Sequence, residues 1–586
     1  MLRKLNYIFN KKEKLKIFGL LLMIVIGSFL QLLGVTAFMP FIELIMNPDG
    51  IHNSEILFAI YQKLNLSSTN MFLALMAIAI IFVYVFKNIY LGVLQNCILK
   101  FSYQTRMKLA VRLLTTYINE PYTFHLTKNI AELQRVLQVD TTQFMQLINN
   151  SLQFISEVTV CIVIGIYLFD TSHSITVVVL GALIICLGIF IFVSKKVSTK
   201  LGKQNQMYNA RLIQWINQSL GGIKEVKVLH REDYFIDSYK SNYKKLIWGA
   251  RINELLSAVP KYIMEAVCIT GLLVAIIIKM FFGYAGNETS DFIPQLAVFA
   301  VAAFQLLPSA GKINAFANNI MYSLPSLDAI YSDLKEVENF APKQKQLRCN
   351  TEKKEFTDYI YVDHITYCYP NVEQPVLKDV ELKIPIGSTV ALIGSSGAGK
   401  TTLADVILGL LEPSSGRIMA DDMDIYQNLY QWHRQLGYIP QTIYLSDDTI
   451  RNNVAFGIMK SEINDDMIWT AIEKAQLTDF VNSLLQGLDT FVGDRGIRLS
   501  GGQRQRIGIA RALYHDPSIL VLDEATSALD NETEQAVMDS IEKLRGEKTM
   551  LIIAHRLTTI KNADYIYEVT DGKVIERNKE DVLRDI

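Results

Sequence analysis

Two short stretches carry side chains spaced for handling phosphate. In GSSGAGKTT, the glycines Gly394, Gly397 and Gly399 let the backbone turn its N–H groups toward phosphate oxygens. Lys400 stands where an ammonium would meet β- and γ-phosphates, and Thr401 offers a hydroxyl to magnesium. Ser395, Ser396, Ala398 and Thr402 complete the loop. In ILVLDEA, four apolar residues lead to Asp523, suited to hold magnesium, and Glu524, suited to polarise an attacking water. Each stretch has a bland alternative, a glycine-rich turn in one case and a buried strand ending in solvated carboxylates in the other. Their occurrence together speaks for ATP and Mg2+.

Such residues work only if secondary structure aims them. TVALIG reads as a strand, and LADVILGLL after the loop reads as a helix whose positive end faces the bound anion. This α/β segment lies in the last 230 or so residues, of ordinary globular composition. The preceding part is different. The 586-residue chain is 50% apolar with a mean hydropathy of +0.22, above the usual soluble range. Apolar runs recur at about 17–46, 71–98, 145–169, 175–194, 258–282 and 295–322, which predicts six membrane spans. The first is too long for the apolar core of a signal peptide. Lys and Arg crowd the amino end and segments 99–144 and 195–257, whereas the opposite loops hold only Lys63, so both long segments are placed in the cytoplasm. Each is long enough for two helices to extend beyond the membrane and return through a short crossing helix, within EPYTFHLTKNIAEL and NQSLGGIKEVKVL. Residues 1–340 thus form an all-α transmembrane domain of six long helices. A polar linker, 341–356, joins it to an α/β phosphate-loop domain, 357–586. The net charge of −1 gives no reason to expect a nucleic-acid partner, and the six scattered cysteines show no metal-ligand spacing.

LSGGQRQR, Leu499 to Arg506, between the two phosphate stretches, resembles the signature of the ATP-binding cassette proteins. The resemblance implies Gln441 in YIPQ as a magnesium and coupling residue and His555 in IIAHR as the γ-phosphate switch. It likewise implies Asp530 in SALD as the residue following the catalytic strand, and Tyr369 in ITYCYP as the aromatic that stacks on adenine. It also implies that Ser500, Gly501, Gly502 and Gln503 complete the ATP site of an opposite subunit, which makes a homodimer the economical assembly for a chain with one cassette. TFVGDRG, with Asp494 in place of the usual glutamate, resembles the segment by which cassette exporters sense their membrane domain. An ATP-hydrolysing exporter or flippase is the function implied.

The substrate must be read from the membrane half. Counting about 1.5 Å per residue puts Lys87, Lys261 and Lys312 roughly 24 to 30 Å from the outer face. Two readings stand. The lysines could snorkel to the cytoplasmic interface, Lys261 pairing with Glu265 one turn on. Alternatively they line a cavity for an anionic headgroup. MPFIELI, AVPKYIMEAV and LLPSAGKI resemble the flippases of lipid-linked oligosaccharides, whose cavity arginines match Lys87, Lys261 and Lys312 and a fourth position occupied here by Gln305. That implies a polyprenyl-pyrophosphate glycan moved from the inner to the outer leaflet of a bacterial plasma membrane, with the cassette cytoplasmic. The same family has a short external helix, matched by SEILFAIYQKLN; an ordinary surface helix would look alike. A general lipid, drug or peptide exporter, and more remotely a cassette-gated channel or regulator, are the alternatives.

Overall fold

The computed structural model describes the chain apart from residues 38–40, 42–43, 46–62, 64–68, 172, 283–288, 339–355, 371, 524–530, 555–559 and 586, and apart from some side chains, chiefly between 171 and 182 and between 268 and 305. The external-helix segment other than Lys63, the linker other than Phe356, and Glu524, Asp530 and His555, expected at the ATP site, therefore lie outside the described residues. The chain divides into two compact units, Met1–Asn119 with Lys128–Glu338, and Glu120–Thr127 with Asn339–Ile586.

The first unit is helical: α1 (Leu2–Ile8), α2 (Lys11–Thr36), α3 (Thr69–Asn119), α5 (Ile130–Arg135), α6 (Thr141–Thr171), α7 (His173–Gly221), α8 (Ile223–Val228), α9 (Glu232–Phe282) and α10 (Thr289–Glu338). The short α4 (Tyr122–Thr127) belongs to the second unit. Five of the six predicted apolar runs fall on long helices and the first does so as far as Thr36, and the stretches Lys11–Gly34, Asn70–Asn119 and Ile130–Asp170 are by themselves long and apolar enough to cross a membrane. Their outward faces are oily, as Ile78, Phe82 and Ile89 of α3 illustrate, because lipid rather than water is the intended solvent. Both expected crossing helices are present as α4 and α8.

Antiparallel register between α2 and α3 is pinned at both ends. Glu13 meets Lys108 at 3.4 Å near the start of α2, and near its end the Tyr84 hydroxyl donates to the Gly34 carbonyl at 3.0 Å. Between α7 and α10 the backbones come so close that a Cβ on Gly202 would lie 2.2 Å from the Tyr322 carbonyl oxygen. Proline shapes the seam of α9 with α10. Pro260 has no N–H, so the carbonyl of Leu256, four residues earlier, loses its helical donor. Asn314 of α10, 1% exposed, supplies one instead at 3.1 Å. One turn further along α10, Asn318 donates to the Asn253 carbonyl at 3.0 Å and to the Ser257 hydroxyl at 2.8 Å.

Lower in the same unit, a π-helical turn, Val136–Asp140, breaks the α-helical register where α5 leads into α6. It delivers Asp140, fully buried, to the Gln206 amide at 2.9 Å and the Ser326 hydroxyl at 2.7 Å, with the Arg135 guanidinium 3.5 Å away. Burial pushes the Asp140 carboxyl above its ordinary value against the pull of Arg135 and the two hydrogen bonds. Asp333, bonded by the Tyr117 hydroxyl at 2.5 Å, is raised for the same leading reason.

The second unit is built on two sheets. One runs β2 (Leu377–Pro385), β1 (Tyr359–Tyr367), β4 (Ser415–Ala420), β5 (Met423–Asp424), all antiparallel. The other has the order β10 (Lys573–Arg577), β9 (Tyr565–Thr570), β3 (Thr389–Ile393), β8 (Thr549–Ile553), β7 (Ile519–Asp523), β6 (Leu436–Ile439). Its central strands pair in parallel, which is why β3, β7 and β8 read as unbroken apolar runs. Val390, Leu392, Leu403, Val406 and Trp432 share one core with the inner face of the first sheet.

Candidate functional site

The phosphate-type loop leaves β3 at its C-terminal end and enters the helix Lys400–Ile407, the strand, loop and helix order expected from sequence. Two of its glycines are obligatory for different reasons. Gly394 (φ 138°) passes so close to the sheet that a Cβ would sit 2.2 Å from the Val569 carbonyl oxygen, and Gly399 (φ 109°) turns the chain into the helix. The far end of that helix is held by the Trp432 indole, which donates to the Ile407 carbonyl at 3.0 Å. Lys400 is buried, and its ammonium donates to the carbonyls of Gly394 and Ser395 at 2.7 and 3.0 Å. A buried cation wrapped in a glycine loop at a helix N-terminus suits an anion of high charge, and ATP phosphates fit that donor set.

The other sequence-predicted residues gather around this loop to different degrees. The hydroxyl of Tyr369 lies 3.1 Å from that of Thr402, and its ring meets Tyr367 edge-on, so the aromatic stands beside the loop. Asp523 ends β7 and is 7% exposed. Its charge and, above all, burial push Asp405 of the loop helix up to about 6. Gln441 follows β6 and is exposed. Among the described residues no group of three or more His, Cys, Asp or Glu gathers as a metal site.

Ser500 caps the signature helix Gly501–Leu513 in a capping box: Gln503 N–H donates to its hydroxyl at 3.2 Å, and the Ser500 N–H donates to the Gln503 side chain at 2.9 Å. Ser500 and Gly501 are exposed and Gly502 is buried. The S-x-x-Q spacing made that cap legible, although the sequence argument did not draw it.

In the first unit Lys261 and Lys312 lie on α9 and α10, which pack together. The Lys261 stem lies over Gly311, with its Cγ 3.1 Å from where a Cβ there would be. The Glu265 partner expected for Lys261 is not engaged: both side chains are exposed and no ion pair joins them. Lys312 instead binds Glu157 of α6 at 2.8 Å. Lys87 is buried to 7% exposure, with its ammonium 4.2 Å from the Tyr84 ring centroid and beside Gly34. No described contact brings it to Lys261 or Lys312. Gln305 falls in α10, and its side chain is outside the described set. Glu157 was missed, although an acid in the middle of the apolar run 145–169 is itself a signal.

Comparison with known proteins agrees with this division of labour. Residues 16–285 match the ABC transporter transmembrane region and residues 377–527 match the ABC transporter domain. The ATP-dependent lipid A-core flippase of Cupriavidus metallidurans is 31% identical over 80% of this chain and 78% of its own length. That of Salmonella typhimurium is 32% identical over 71% and 70%. Against the flippase of the same name from Nitrosococcus oceani, 31% identical over 66% of this chain, the match spans 62% of the relative's length. A bacterial Atm1-family exporter solved with ATP bound superimposes with a TM-score of 0.74 at 22% identity, covering 98% of this chain and 97% of that one, which fixes the fold.

Proposed function

This chain belongs to the ABC transporters, as an exporter whose ATPase is coupled to transport, and from that premise we propose that a homodimer of it flips an anionic, glycan-bearing lipid from the inner to the outer leaflet of a bacterial plasma membrane. The observation that carries the substrate class is the direction in which Lys87 and Lys312 lean. Side chains on a helix tilt toward its N-terminus. With the positive-inside orientation, α3 and α10 begin at the outer face, so Lys87 and Lys312 lean into the bilayer and away from the cytoplasmic interface. Their contacts agree: Tyr84 lies three residues nearer the outer end of α3, and Glu157 sits about 18 Å from the outer end of its span, farther out than Lys312. Snorkelling would require the opposite lean, which among the three lysines is that of Lys261, on the outward-running α9. A lysine held inward is expensive unless it pairs or faces a polar cavity, and a phosphate-bearing headgroup supplies the anion such a cavity is built to receive.

Relatives named for lipid A-core, rather than for polyprenyl-pyrophosphate glycans, favour a glycolipid of either kind as substrate over a drug or peptide. In this reading Thr401, Gln441 and Asp523 hold Mg2+ and Lys400 holds the ATP phosphates. Glu524 and His555 act on the γ-phosphate, while the exposed cap Ser500–Gly501 faces the partner's nucleotide. The helix α4, which shares a compact unit with the cassette, transmits its closure to the membrane half. The test is flipping of fluorescent polyprenyl-pyrophosphate glycan and of a fluorescent lipid A-core analogue in proteoliposomes, with Glu524→Gln as the hydrolysis-dead control. ATP-dependent transfer of at least one, absent in the control, is the expected result. Transfer of neither, with intact hydrolysis, would refute the substrate class.

A further inference from the structure

The face of α6 that looks into the bundle is polar where its surroundings are oily. The Gln153 amide donates to the Gln95 side chain of α3, and one turn further out Glu157 accepts from Lys312 of α10 at 2.8 Å. The two members of this ion pair are unequally covered: the Glu157 side chain is 13% exposed, that of Lys312 55%. A pair kept for stability alone would be replaceable by packed apolar side chains at no loss, so a charged pair midway through a span asks for a functional reason. Its open side is the lysine. Lys261 of α9, not joined to Glu265, packs its stem over Gly311, the residue before Lys312. The cluster is thus one open ammonium and one sheltered carboxylate, with Lys261 on the adjoining helix.

We propose that Glu157 is a specificity-determining residue which selects lipid phosphates carrying an amine in the headgroup over purely anionic ones. This deepens the reading that Lys261 and Lys312 receive a lipid phosphate and rests on it. With no headgroup bound, Glu157 occupies Lys312. A headgroup phosphate that takes Lys312 leaves the Glu157 carboxylate buried, without its cation and beside a new negative charge, and both desolvation and like-charge repulsion oppose that state. An ammonium on the same headgroup, whether on a sugar or on ethanolamine, removes the penalty. The Glu157–Lys312 pair is then exchanged for two pairs, phosphate with Lys312 and Lys261, and ammonium with Glu157. A headgroup that is only cationic would meet two lysines and be rejected.

The experiment compares binding of two fluorescent-tailed lipids to the purified protein in nanodiscs: phosphatidylethanolamine, and its N-acetylated form, which keeps the phosphate and loses the ammonium. The wild type should bind the amine-bearing lipid roughly tenfold more tightly. Glu157→Gln should erase that preference by tightening the N-acetyl lipid, while Glu157→Asp, which keeps the acid, should retain it. Equal affinities in the wild type, or a preference that survives in Glu157→Gln, would overturn the proposal. If both lipids bind equally and both weaken in Lys261→Ala, the lipid-phosphate reading stands and the role of Glu157 falls alone. If neither binds above an empty nanodisc, both fall together.

Discussion

Lys400 illustrates how much a single side chain can be asked to do. Its ammonium has two loop carbonyls as acceptors, so it orders the loop by the same contacts that it would exchange for phosphate oxygens. Charge-assisted hydrogen bonds are worth about 1.5 to 3 kcal/mol each. Lys400→Ala should therefore weaken ATP binding by about 10- to 100-fold, as read with a fluorescent nucleotide analogue; an unchanged affinity would mean that the loop does not hold the phosphates. At this scale motif and context coincide at Lys400, where strand, loop and helix follow in the expected order. The sequence was least informative for Lys261. The spacing of Lys261 and Glu265 allowed a pair one turn apart, but helical proximity within one helix does not decide the partner. The stem of Lys261 packs on Gly311 of another helix, and that is a tertiary fact.

Elements explain features that no single residue does. Pro260 looks like a helix breaker in the middle of α9, yet the helix runs through it because Asn314 of α10 takes over the orphaned Leu256 carbonyl. Asn314→Leu should lower the thermal stability of the detergent-solubilised protein by roughly 1 to 3 kcal/mol, the cost of a buried acceptor left unpaired. In a Pro260→Ala background, where residue 260 again offers its N–H, the same change should cost distinctly less; equal costs in the two backgrounds would show that Asn314 and Pro260 are uncoupled. Asp140 supplies a prediction of a different kind. Its folded value is raised above the ordinary 3.8, so the stability it contributes is full below that value and is lost as pH rises through the raised one. Asn at this position stays uncharged. As pH rises from below the ordinary 3.8 to neutrality, the melting temperature of the wild type should therefore fall more than that of Asp140→Asn. Parallel curves would contradict it. Absolute stabilities are a poorer guide here, because the variant also deprives Arg135 of its acid. The six long helices and both crossing helices were legible from apolar runs and basic segments. The π-turn that aims Asp140 was not, since nothing in VLQVD distinguishes it from an ordinary helical turn.

For the whole molecule, the assembly follows from what a single chain leaves open. The signature cap presents Ser500 and Gly501 outward, and α8 shows the exposed Val228 and Leu229 at its end. The exposed cap fits the proposed homodimer in which each cassette completes its partner's site. A cysteine at Ser500 should accordingly crosslink to a cysteine in the loop at Ser396 of a second copy when ATP and the Glu524→Gln background hold the dimer closed; monomers alone on the gel would contradict the arrangement. Family and fold were readable from the cassette motifs because phosphate chemistry tolerates few alternatives. Substrate was much less so, since membrane cavities use scattered charges whose partners depend on helix register, as Glu157 shows. The most direct measurement of the central claim is therefore ATP-driven lipid flipping in proteoliposomes by the wild type and by Lys261→Ala/Lys312→Ala. Loss of flipping in the double variant, at equal amounts of folded protein, is the result predicted, and flipping at the wild-type rate would contradict a headgroup site built on these lysines.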